Sequence, residues 1–109
     1  MPSNAGETPL SPQTAVQVPA HVVCRAFAVE TLMLNLQTGT YHGLNSTAGR
    51  MLETLQQHEV IADAAAIIAE HYVKDSESVQ ADLLVLCSGL IERGLLVVKP
   101  EATPHQLKP

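Results

Sequence analysis

Tryptophan is absent from this 109-residue chain, phenylalanine occurs once and tyrosine twice. A core without large aromatics has to be assembled from Leu, Val and Ala, within a hydrophobic fraction of 46%, so it is aliphatic and small. Positive charge is also scarce: six Lys and Arg stand against eleven Asp and Glu, a net charge of −5. Nucleic-acid affinity comes mostly from Lys and Arg neutralising phosphates, and six scattered cations make no such surface. No apolar run approaches the roughly 18–20 residues that cross a bilayer. The opening MPSNAGETPLSPQTAVQVPA lacks a positive charge followed by an apolar block, so it does not read as a signal peptide. These absences lead to the expectation of a cytoplasmic protein with neither nucleic acid nor membrane as partner.

Catalytic and metal-binding patterns are missing as well. Cys24 and Cys87 form no CxxC or comparable pair. They read as reduced thiols in the core or lining a groove, since a disulfide is unexpected in the cytoplasm. His21, His42, His58, His71 and His105 fall in different elements without HxxxH or HxH spacing. There is no Gly-rich phosphate loop and no GxSxG. No set of residues divides the roles of nucleophile, base and oxyanion stabiliser, so the chain is expected to have no catalytic residues, metal or cofactor.

What is present is one domain between two polar ends. Residues 1–20 hold four of the seven prolines among Ser, Thr, Asn and Gly, a composition that buries too little apolar surface to offset its ordering entropy. They are expected to be a flexible arm, and residues 100–109 a flexible tail. The compact domain is placed at residues 21–99. Residues 22–29 alternate in side-chain direction as a first strand, and Glu30-Thr31 offers a short turn. Leu32, Leu34 and Leu36 then line one face of a second strand, with Met33 and Asn35 on the other. Thr38-Gly39 is a plausible hairpin turn before a third strand over residues 40–44, where Gly43 weakens the strand or marks a close backbone approach.

Asn45, Ser46 and Thr47 are competent N-caps, and Leu44, Ala48, Met51, Leu52 and Leu55 follow helical spacing. A second helix is expected over residues 60–72, with Ile61, Ala65, Ile68 and Tyr72 on one stripe. Asp75 or Ser76 caps a third, with Glu77 in its first turn favourable to the helix dipole. That helix runs to about Arg93, stops at Gly94, and is followed by a short strand within residues 95–98. Val79, Leu83, Leu86 and Leu90 form one row on this helix, and Leu84, Cys87 and Ile91 a second. Together they span an arc of roughly 160°, which leaves open whether one row lines a groove or both are core. Asp82 flanks the arc, where it is either a surface carboxylate or an anchor for a basic or polar group of a partner.

The order of three strands, three helices and a final strand has the parts of an α+β winged helix-turn-helix, with a three-stranded antiparallel N-terminal sheet followed by three helices. That fold usually evokes DNA, yet the third helix offers Arg93 as its only basic residue, whereas a recognition helix needs positive charge toward phosphates.

The run LMLNLQTGTYHGLNSTAGRMLETL resembles the PqqD-like proteins, whose pattern is an apolar strand, a Gly turn, a Tyr-containing strand, Leu-Asn and a helix. ADLLVLCSGLIERGLL resembles that family's closing helix. The resemblance covers roughly residues 22–98 and implies a RiPP recognition element, a small domain that binds the leader segment of a ribosomally made precursor peptide and presents it to modifying enzymes. In such domains the leader adds as an antiparallel strand to the third strand and packs against the third helix. Carried onto this sequence, Thr40, Tyr41, His42, Gly43 and Leu44 would give the backbone edge, and Gln80, Leu84, Cys87 and Ile91 the facing wall. Backbone pairing supplies affinity and side-chain pockets supply choice, and a bound strand also explains why an open edge is tolerated.

Within the family, the discrete proteins of lasso-peptide maturation are the most similar, which implies a leader protease and a macrolactam cyclase as partners. The alternative is a pyrroloquinoline quinone-type peptide chaperone serving a radical enzyme. From a different class, a winged-helix transcriptional regulator is the other reading, and it lacks the basic helix it needs. An open strand edge leaves homodimerisation as a further option.

Overall fold

The computed structural model describes residues 10–99. The expected flexible ends at residues 1–9 and 100–109 lie outside the described residues. In chain order the elements are β1 (Val16–Gln17), β2 (Val22–Ala26), β3 (Glu30–Asn35), β4 (Tyr41–Asn45), α1 (Ser46–Gln57), α2 (Ile61–Tyr72), α3 (Ser76–Glu92) and β5 (Val97–Val98). The α+β class, the three-stranded antiparallel sheet and the three helices therefore agree with the sequence reading. The sheet order is β2-β3-β4, and a second sheet pairs β1 with β5.

That second sheet corrects the reading of residues 1–20 as an arm. Val16 pairs with Val98 and Gln17 with Val97, and Val16 is buried. The Val16 N–H donates to the Glu59 carbonyl at 3.0 Å, the Lys99 N–H donates to Ala15 at 2.8 Å, and the Lys99 ammonium pairs with the Glu59 carboxylate. A proline-rich composition still supports structure where two residues reach partners far along the chain, because each main-chain bond is supplied from outside the segment.

The turn between β2 and β3 is also displaced. Phe27 N–H donates to the Glu30 carbonyl at 2.7 Å, so the loop residues are Ala28 and Val29, and Glu30-Thr31 already belongs to β3. The first strand accordingly ends at Ala26 rather than residue 29. The β3–β4 turn is organised by Asn35, a buried polar residue. Its Oδ1 accepts from Gln37 N–H at 2.9 Å and Thr38 N–H at 3.2 Å, an Asx turn that replaces solvent for the chain reversal. Gly39 follows at φ 78°, a conformation its missing Cβ permits.

Strict alternation sorts the sheet into two faces. Val22, Cys24, Ala26, Thr31, Met33, Asn35, His42 and Leu44 share one face, as their cross-strand pairing requires. Met33 and Leu44 are buried there, and α1 packs over it against β3 and β4. The opposite face carries Val23, Leu32, Leu34, Leu36 and Tyr41, with Leu36 59% and Tyr41 72% exposed. The Leu row is therefore on the outer face.

Asn45 caps α1, its Oδ1 accepting from Ala48 N–H at 2.8 Å. Gly49 sets how closely α1 approaches: a Cβ there would lie 2.5 Å from Thr31 Oγ1. Leu52 and Leu55 are fully buried behind it, each stabilising the fold by about 1.5–3 kcal/mol. Helix α2 packs on α3 and α1, and its buried residues are the small Ala64, Ala65 and Ala69 beside Ile61 and Ile68. Tyr72, expected on that stripe, is 44% exposed. Asp75 caps α3 by accepting from Ser78 N–H at 3.2 Å, and Gly94 at φ 74° ends it.

Candidate functional site

Hydrogen-bond parity decides which backbone groups of β4 are free. In an antiparallel pair, the residues that exchange bonds alternate with residues whose N–H and C=O point away. Asn35 N–H donates to the Thr40 carbonyl at 2.8 Å, and the register pairs Met33 with His42 and Thr31 with Leu44. Thr40, His42 and Leu44 therefore direct their main chains into the sheet. Tyr41, Gly43 and Asn45 direct theirs outward, along an edge that no described strand covers.

The residues expected to form the edge thus divide into two sets. Tyr41 and Gly43 supply free main-chain groups and are exposed. Thr40 is exposed in the turn, its hydroxyl 2.7 Å from that of Thr38. His42 is half-buried on the helix-facing side, and Leu44 is 4% exposed in the core. Asn45, which the sequence reading took only as a helix cap, adds an outward N–H to the edge.

On α3 the core row is Val79, Leu83, Cys87 and Leu90. This corrects two sequence expectations. Cys87 is fully buried and lies beneath the surface of any groove. Leu86, which spacing grouped in one row with Val79, Leu83 and Leu90, is only partly buried. Gln80, Leu84 and Ile91 are half-buried and lie within about 40° of one another around the helix at 100° per residue. Asp82 is exposed and, two residues from Gln80, sits about 160° away around the axis. One wall cannot contain both, so Asp82 separates from the Gln80–Leu84–Ile91 flank.

The C-terminal end of α3 meets the sheet where β3 ends, since a Cβ on Gly94 would lie 3.7 Å from the Asn35 side-chain nitrogen. Gly94 N–H donates back to the Ile91 carbonyl at 3.0 Å, which puts Ile91 within a turn of that junction. Leu84 follows two turns up the helix. The buried face of α3 is held mainly by α2, and β4 is held by β3 and α1.

Burial raises the pKa of both thiols, and Cys87 is pushed up to about 11. Both thiols therefore hold their protons more tightly than a free cysteine does. Among the described residues no three His, Cys, Asp or Glu side chains cluster to hold a metal, and no helix is long and apolar enough to cross a membrane. A cavity of about 350 Å³ lies between α1 and the β2–β3 hairpin, where Cys24, Ala26, Thr31, Arg50 and Glu53 are among its lining residues. A strand-adding ligand pairs with an open strand edge.

Comparison with known proteins follows the same direction. The family described as Coenzyme PQQ synthesis protein D (PqqD) matches residues 30–96. Comparison with curated proteins gives no match. Among solved structures, TbiB1 in complex with the TbiA(beta) leader peptide is similar, with 26% identity over 80% of this chain and 99% of that one, at a TM-score of 0.68. Lasso peptide synthetase B1 complexed with the leader peptide shares the fold at 20% identity, covering 76% of this chain and 98% of that one, also at a TM-score of 0.68. The chain belongs to the PqqD family.

Proposed function

We propose that this chain binds the leader segment of a ribosomally synthesised precursor peptide by adding it as a strand to β4, and that it presents the leader to maturation enzymes. The observation that carries this reading is the free edge at Tyr41 and Gly43, in a chain similar to TbiB1, whose solved structure is a leader complex. The leader runs antiparallel to β4 and exchanges main-chain bonds with those two residues. Its side chains then alternate. Those on the helix side meet His42 and the Gln80, Leu84 and Ile91 flank of α3. Those on the outer side extend the cross-strand row Val23–Leu34–Tyr41. The binding unit is the winged helix-turn-helix of residues 21–99, together with the β1–β5 clasp, acting in the cytoplasm where precursors are made.

Both solved structures that the chain resembles are named for leader complexes, one of them as a lasso peptide synthetase subunit. A leader protease and a macrolactam cyclase are therefore the proposed partners. The family's description as a coenzyme PQQ synthesis protein supports a second reading, in which the chain is a peptide chaperone of the pyrroloquinoline quinone type serving a radical enzyme. A transcriptional regulator fits less well. The exposed groups on α3 include Glu77, Asp82 and Glu92, and Arg93 donates to the Gly89 carbonyl at 3.2 Å.

The test is a titration with fluorescent lasso-type leader and with pyrroloquinoline quinone precursor peptide, each at two salt concentrations, beside duplex DNA. Tight leader binding with little salt dependence is expected, and preference between the peptides decides the subtype. Binding to duplex DNA alone, weakening steeply with salt, would remove the leader-binding reading.

A further inference from the structure

Gly43 leaves a notch beside the free edge of β4. Its register partner on β3 is Leu32, and a Cβ on Gly43 would lie 3.6 Å from Leu32 Cδ2 and 3.2 Å from Glu30 Oε1. The Glu30 carboxylate therefore reaches diagonally from β3 toward β4 on the outer face of the sheet, against the space that a side chain at residue 43 would fill. Among the described residues it has no ion pair, since the two present join Arg50 to Glu53 and Lys99 to Glu59. Arg25, on the far side of Leu32 in the same cross-strand row, belongs to neither pair.

A strand added antiparallel to β4 sets the residue that exchanges bonds with Gly43 directly opposite it, with its side chain on the same outer face. The residue two positions later lies opposite Tyr41, and the one between them turns to the helix side with His42. We propose, on the basis of the strand addition set out above, that the Gly43 notch and Glu30 form a subsite for a lysine or arginine of the leader at the first of these positions, followed two residues later by an apolar residue against Tyr41.

Distance and charge both select the basic side chain. The leader Cβ opposite Gly43 would lie about 4.5–5.5 Å from the place of a Gly43 Cβ, and that place is 3.2 Å from the Glu30 oxygen. A charge at the end of a long stem spans such a gap, whereas the hydroxyl of a serine falls short. The stem would cross Gly43, where no side chain stands in its way, and lie along Leu32 with its head at the carboxylate. An acidic leader residue would instead face Glu30 as a like charge, which is destabilising between strands, and the chain's net charge of −5 acts in the same direction. Opposite Tyr41, 72% exposed, an apolar side chain extends the row Val23–Leu34–Tyr41.

The lasso-type leader and the pyrroloquinoline quinone precursor peptide serve as probes in fluorescence anisotropy with the full chain, each peptide position in turn carrying Lys, the neutral norleucine of similar length, or Glu. At one position Lys is expected to bind roughly two- to fivefold more tightly than norleucine, the range of an exposed ion pair, and Glu more weakly than both. This preference should shrink in high salt, vanish in Glu30→Gln and reverse in Glu30→Lys, with circular dichroism unchanged because Glu30 is exposed. A single exposed pair leaves the overall salt dependence of leader binding small. A ranking of Lys, norleucine and Glu that is the same in wild type and both Glu30 variants overturns the subsite alone, provided a peptide binds and Gly43→Pro weakens it. If neither peptide binds, or Gly43→Pro binds as tightly as wild type, strand addition at β4 fails and the subsite falls with it.

Discussion

Proline substitutions at His42 and Gly43 put the parity of β4 to a direct test, since neighbouring residues should fail in different ways. Gly43 N–H points away from the sheet, so proline there removes a donor that only a leader would use, and edge positions of this kind accept proline. The leader loses one main-chain bond, worth about 0.5–1.5 kcal/mol, and its carbonyl is left facing a ring, for a total of about 1–3 kcal/mol. That is roughly 5- to 150-fold in Kd. Gly43→Ala keeps the N–H, and its Cβ would meet the Glu30 carboxylate oxygen at 3.2 Å and Leu32 Cδ2 at 3.6 Å. The glutamate tip is flexible, so binding should change by no more than about threefold, less than the worth of one hydrogen bond. His42→Pro removes a donor that belongs to the β3–β4 ladder, and should lower the melting temperature instead. Fluorescence anisotropy with labelled leader, read beside thermal denaturation, separates these outcomes. Equal destabilisation by both prolines would refute the parity assignment. Unchanged binding in a folded Gly43→Pro would refute strand addition at this edge.

Leu84→Glu, or Ile91→Glu, is expected to raise the leader Kd by roughly tenfold or more, since it sets a charge against an apolar partner. The accompanying loss of stability should be smaller, and the reverse ranking in anisotropy and melting would make these side chains purely core. Gly49→Ala drives a methyl toward Thr31 Oγ1 at 2.5 Å, so it should cost about 1–3 kcal/mol by overpacking in urea denaturation, less the roughly 1 kcal/mol that alanine gains in a helix. Val73 is 90% exposed and holds φ 54° at the end of α2. Val73→Gly should therefore raise stability by about 1 kcal/mol by relieving a left-handed β-branched residue. Cys87, with its pKa raised from 9.0 to about 11, binds its proton more tightly folded than unfolded. Its contribution is complete below pH 9 and declines as pH rises toward 11, so denaturation midpoints should fall over that window and fall less in Cys87→Ala.

Local periodicity carried most of the fold in the sequence. Alternation through Leu32, Met33, Leu34 and Asn35 specified β3, and the spacing of Leu52, Leu55, Val79 and Leu83 specified the buried sides of α1 and α3. What escaped depended on contacts between distant residues or on turns without a signal. The β2–β3 loop is made by Ala28 and Val29, neither a turn former, so the polar Glu30-Thr31 took its place in the sequence reading. Val16 looked like part of an arm because its partners, Glu59 and Val98, lie more than 40 residues away. Cys87 falls in the middle of a wide apolar arc, where helical spacing alone does not say which side is covered. The buried role of Asn35 had a signal, an Asn two residues before Gln37 and three before Thr38, but it was read only as a strand residue sharing the face of Met33.

Magnitudes also divide the proposed work between strand and helix. Tyr41 and Gly43 offer roughly four main-chain bonds, which at 0.5–1.5 kcal/mol each come to about 2–6 kcal/mol. A micromolar complex requires about 8 kcal/mol net, after an association cost of at least about 4 kcal/mol. The strand edge alone therefore falls short, and the remainder must come from apolar burial against the Leu84 and Ile91 flank, at about 25 cal/mol per Å². The two parts then have different signatures. Backbone bonds are common to every peptide, so Gly43→Pro should weaken all leaders by a similar factor. The helical flank meets side chains, so substitutions at Leu84 should alter the ranking among leaders, and a panel of leader variants that keeps its order in Leu84→Glu would place selectivity elsewhere.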